Sequence, residues 1–118
     1  MNCLLTRESV AAGDDVYAPH QLAVSFPHVR SVKDLVKAIA DADYIPRMGK
    51  SASWCISSGE PLALVSSTWS EPQPIRMWPP LEALDIRDGV VHCHISYMAG
   101  HEPEVVLAVL RELRVRGS

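Results

Sequence analysis

Apolar and polar residues alternate at a strand period over most of the chain and change to a helical period twice. Cys3 to Thr6 reads as a short first strand, and Gln21 to Phe26 as a second with Leu22, Val24 and Phe26 on one face. Pro27 ends that strand or confines it to an edge. From Ser31 the period becomes helical: Val32, Leu35, Val36 and Ile39 form an apolar stripe, with Lys33, Asp34 and Lys37 largely outside it. Ser31 and Asp34 have the spacing of a capping box, and Pro46 forbids simple continuation beyond Ala42-Asp43.

Strand-like alternation returns at Ala52–Ser57 and Leu62–Trp69, joined by the turn Ser58-Gly59-Glu60-Pro61. Ile75 to Trp78 predicts an edge strand cut short by Pro79-Pro80. Leu81–Ile86 and Val90–Tyr97 flank Arg87-Asp88-Gly89, where Asp-Gly predicts a tight hairpin. In the second arm Val91, Cys93, Ile95 and Tyr97 share one face, and Val90, His92, His94 and Ser96 the other. Glu102 to Arg114 predicts a second helix bearing Val105, Val106, Val109, Leu110 and Leu113, with Pro103 in its first turn. The order predicts a single α+β domain over residues 1–118. Its expected form is one layer of largely antiparallel sheet, about five to six strands, with two helices packed on one face and the other face partly open.

Composition narrows the function classes. A chain of 118 residues that is 47% hydrophobic and 21% charged can bury one modest core. A net charge of −3 disfavours a nucleic-acid role, which needs clustered Lys and Arg. No apolar run is long enough for a membrane span, and the first residues lack signal-peptide character, so a cytoplasmic protein without membrane contact is expected. The three cysteines, Cys3, Cys55 and Cys93, form no CxxC pair and read as reduced, buried thiols.

Candidate chemistry is sparse. His92 and His94 stand two apart on a strand and could present two metal ligands, but nothing local supplies a third. Asp14 and Asp15 follow Gly13 and read first as turn residues, then as an acidic patch with Glu8. Cys55 sits inside an alternating strand, no serine lies in a G-x-S-x-G elbow, and Gly49-Lys50-Ser51 lacks the first glycine of a phosphate loop. No cofactor is expected, and a non-enzymatic role is favoured over an enzyme. Trp54 reads as core. Trp69 and Trp78, beside Ser-Glu-Pro and Pro-Pro breaks, read as partly exposed contact residues. With Glu8, Asp14, Asp15 and Glu71 they make the expected partner-binding set.

Leu5-Thr6-Arg7, Val10, Gly13-Asp14-Asp15 and Pro19-His20, followed by a Gly-containing connector, a Trp-bearing strand and a second strand ending in Trp, resemble a pattern in a group of small uncharacterised bacterial α+β proteins. A late strand running into a final helix completes the likeness, which carries no chemistry. The chain is more loosely similar to bacterial toxin-immunity proteins, which are small, mildly acidic single domains. That resemblance implies a cognate protein toxin as partner, with a basic surface meeting Glu8, Asp14, Asp15, Glu71 or Glu82. A homodimeric adaptor and a small metal-dependent enzyme using His92 and His94 are the alternatives.

Overall fold

The computed structural model describes residues 1–7, 21–42, 45, 53–75, 77–98 and 102–116, with 113–116 as helix backbone. The expectations placed on Glu8, Asp14, Asp15 and on most of the connector from Tyr44 to Gly49 lie outside those residues. In chain order the elements are β1 (Asn2–Arg7), β2 (Gln21–Ser25), α1 (Val32–Asp41), β3 (Ser53–Ser58), β4 (Glu60–Ser66), β5 (Gln73–Pro74), β6 (Ile86–Arg87), β7 (Val90–Tyr97) and α2 (Pro103–Arg116). A 3₁₀ turn over Leu81–Ala83 precedes β6. One sheet of 7 strands runs β2-β1-β7-β3-β4-β5, with β6 beside β7. All pairings are antiparallel except the parallel pair β1–β7, so the expected α+β class is the one observed.

Local chemistry accounts for the boundaries. The Ser31 hydroxyl caps α1 by accepting from the Asp34 N–H at 3.1 Å, and the Asp34 carboxylate accepts from the Arg30 N–H at 3.2 Å. Asp88 at φ 51° and Gly89 at φ 77° form the two-residue turn between β6 and β7, the left-handed pair that Asp-Gly accommodates. β4 stops at Ser66, short of the expected Trp69, because the Ser66 hydroxyl accepts from the Thr68 N–H and its carbonyl from the Trp69 N–H. The expected edge strand Ile75–Trp78 is replaced by the shorter and earlier β5. The expected strand from Leu81 begins instead as the 3₁₀ turn, closed by bonds from Ala83 N to Pro80 O and Leu84 N to Leu81 O.

The placement of the helices differs from the expected single face. Cys3, Leu5, Val91, Cys93, Ile95, Trp54, Ile56 and Ala63 pack with Val32, Leu35, Val36 and Ile39 of α1. The residues between them on β3 and β4, Cys55 and Leu64, point the other way and pack with Ile75 and Val106, Leu107 and Leu110 of α2. The helices therefore lie on opposite faces. β3 and β4 are apolar on both sides and need cover on both. A bulge in β4, where Ile56 pairs with Ala63 but Ser57 pairs with Pro61, lets Leu62 and Ala63 both reach the α1 side. Among the described residues α2 packs on the β3–β4–β5 half of its face. Over β1, β2 and the start of β7 no described element covers that face, and Leu4, Thr6 and His92 are half-buried and Ala23 exposed.

Two buried serines sit on β3. The Ser58 hydroxyl, 1% exposed, accepts from the Asp85 N–H at 2.9 Å and donates to the His92 carbonyl at 2.7 Å. It stands where β3, paired with the second half of β7, gives way to β6, paired with the first half. The Ser53 hydroxyl is fully buried and has no hydrogen-bond partner among the described residues. Replacing Ser53 by alanine removes an unsatisfied buried polar group and is expected to raise stability by about 1 kcal/mol. Urea unfolding checks this, and a variant less stable than the parent would show that the hydroxyl is satisfied in solution.

Candidate functional site

The solvent edge of α1 forms one wall of a cleft of about 230 Å³, through Lys33, Asp34, Val36 and Lys37. Glu71, Pro72 and Trp78 form the other wall, so two of the expected contact residues, Glu71 and Trp78, come together. Trp78 is half-buried and rests against the α1-side core. Met77 beside it is 89% exposed, the most exposed large hydrophobic side chain among the described residues. The rigid Pro79-Pro80 pair and the 3₁₀ turn follow immediately, and they present Met77 and Trp78 on a stiff corner. Lys33 and Lys37 line the cleft together with Asp34 and Glu71, so its formal charges balance.

Trp69 belongs elsewhere. It packs in the α2-side cluster and its indole N–H donates to Glu104 Oε1 at 3.3 Å. The expected partner-binding set is thus divided between opposite faces, with Glu8, Asp14 and Asp15 outside the described residues. Sequence reading missed Met77 and the two lysines. The signal for Lys33 and Lys37 was present in the polar side of the α1 stripe, whereas nothing local distinguishes Met77 from a core methionine.

On the open half-face, His92 and His94 project side by side between β1 and the β3 lane, as their alternation requires. His94 Nδ1 lies 2.7 Å from the Thr6 hydroxyl, which also donates to the Cys93 carbonyl at 3.4 Å. Among the described residues no group of three or more His, Cys, Asp or Glu side chains is arranged to hold a metal ion. His92 instead lines a shallow groove of about 690 Å³ with Leu4, Ala23, Val90, Arg87 and Asp88. Arg87 is turned to Asp85, donating twice at 3.1 and 2.8 Å, and those hydrogen bonds hold the Asp85 carboxyl below its ordinary pKa.

The thiols are poor nucleophiles. Cys3 and Cys93 lie on the α1 side of the sheet and Cys55 beneath α2, each buried and free. Burial pushes the Cys3 and Cys55 thiols up, and Cys93 up to about 12. Ser57, not Cys55, stands opposite His94, so no Cys–His pair is formed there. A thiol-specific reagent at about pH 8 is expected to leave all 3 cysteines unmodified in the native protein and to modify all 3 in denaturant. Rapid native labelling of any one would show that its strand is open to solvent.

Among the described residues no helix is long and apolar enough to cross a membrane. No protein-family model, curated protein or solved structure matches this chain.

Proposed function

We propose that this chain is a protein-binding module that captures a protein partner stoichiometrically, with the Met77–Trp78 corner and its cleft as the contact. The observation that carries this reading is the fully presented Met77 beside a Trp78 anchored in the core. An anchored aromatic loses little conformational freedom on binding, and an exposed methionine adapts to the facing surface. A cognate bacterial toxin, held inactive in the manner of immunity proteins, is the partner that the resemblance favours. The net charge of −3 supports a basic partner at long range, while the balanced cleft supports a largely apolar contact. A cytoplasmic location is part of the same proposal, supported by three buried free thiols.

The chain used as bait in lysate of its native source, with the retained complex read by native mass spectrometry, tests the reading. The expected result is a one-to-one complex with a second, basic protein. Met77→Asp and Trp78→Ala are each expected to weaken it by about 2 kcal/mol, roughly thirtyfold. Met77→Asp should leave thermal unfolding unchanged because Met77 touches solvent, which separates lost contact from lost fold. A complex that both variants retain at full affinity, or no complex at all, counts against it.

A further inference from the structure

The two edges of the sheet are treated differently. At β5 the edge is 2 residues long, contains Pro74, and has its Pro74 carbonyl covered by Arg111 of α2, whose Nε and Nη2 donate at 3.3 and 2.8 Å. At β2 the edge is 5 residues long, Gln21-Leu22-Ala23-Val24-Ser25, with no proline and no charge. Among the described residues it pairs only with β1.

The direction of its free groups follows from the ladder. Phe26 N–H donates to Met1 O at 2.9 Å and the Met1 amino group donates to Phe26 O at 3.0 Å, so Met1 and Phe26 form a hydrogen-bonded pair. Such pairs alternate along an antiparallel ladder. Val24 and Leu22, opposite Cys3 and Leu5, therefore spend their backbone groups on β1. Gln21, Ala23 and Ser25 aim both N–H and C=O away from β1, and all three side chains are exposed.

We propose that this edge pairs with the same strand of a second copy of the chain, antiparallel across a two-fold axis at Ala23. The two sheets then become one. Ala23 of each copy faces Ala23 of the other, and Gln21 of each faces Ser25 of the other. Every outward N–H in the strand meets an outward C=O, and both bonds of each facing pair form. An uncharged strand meets its own copy without like-charge repulsion. Leu22 and Val24, half-buried at the rim of the α1-side core, continue that core across the axis. The contact is small, so the dimer dissociates in the micromolar range. It is independent of the Met77–Trp78 corner, and its test uses no partner protein.

Sedimentation velocity across the micromolar range reads the result. The parent chain is expected to pass from monomer to dimer with concentration. Ala23→Pro deletes an outward N–H without removing any β1–β2 bond and is expected to weaken the dimer at least tenfold, with far-UV circular dichroism retained. Gln21→Lys with Ser25→Lys, and Gln21→Glu with Ser25→Glu, are each expected to be monomeric alone and to form a one-to-one heterodimer when mixed. That mixing experiment decides the matter even where proline disturbs the strand. A parent chain that stays monomeric, a dimer that all three variants keep, or charged variants that ignore each other on mixing would overturn the proposal.

Discussion

Ile95→Ala is expected to lower the free energy of unfolding by about 4 kcal/mol, the upper part of the range for large-to-small core changes. Ile95 is 0% exposed and lies on β7, opposite Arg7 of β1 on one side and Ile56 of β3 on the other. Its side chain packs in the cluster that α1 covers. Three hydrogen-bonded strands cannot close toward one another to fill the space, so the cavity persists and its full cost is felt. Urea denaturation should show a lower midpoint at an unchanged slope. Val109→Ala on the outer side of α2, where Val109 is 51% exposed, should change stability by less than about 0.5 kcal/mol. Equal effects at the two positions would refute the placement of the core on the α1 side of β7.

Ser58→Ala is expected to destabilise by about 2–3 kcal/mol. The hydroxyl serves one backbone group just before β6 and one on β7, and alanine leaves the part-buried Asp85 N–H without its acceptor. The sign is opposite to that expected for Ser53→Ala, although the two serines share a strand and a degree of burial. Hydrogen exchange at the Asp85 amide gives the local readout: it should accelerate beyond the global change in stability. Ser58→Thr retains the hydroxyl but adds a methyl to a full site, and is expected to recover only part of the loss. A change below about 0.5 kcal/mol in Ser58→Ala would mean that water replaces the hydroxyl without cost.

Much of the fold was legible because local chemistry and tertiary packing agree. The alternation of Val91, Cys93 and Ile95, the Ser31 cap and the Asp88-Gly89 turn each specify geometry within a few residues. The parallel contact of β1 with β7 depends on residues far apart in the chain, and no turn residue encodes it. The opposite placement of the helices had a signal in Leu62-Ala63-Leu64, an unbroken apolar run that a half-exposed strand does not need. The site was less legible. Trp69 and Trp78 have similar surroundings in sequence, yet one is tied to α2 through Glu104 and the other walls a cleft on α1. Which face a loop residue meets is decided by packing, not by its neighbours in the chain.

The parallel pairing of β1 with β7 also orders events in time. Thr6 and His94, bonded side chain to side chain, are separated by 88 positions. During synthesis β1 leaves the ribosome before β7 and waits while the 88 positions between Thr6 and His94 are translated. The β3–β4 hairpin, closed across Gly59, can form as soon as it emerges, whereas the β1–β7 pair must close later. Until then, among the described strands, Leu5 and Cys3 have only β2 beside them, and the nascent chain offers one apolar strand edge to whatever it meets, including its own neighbours on the same message.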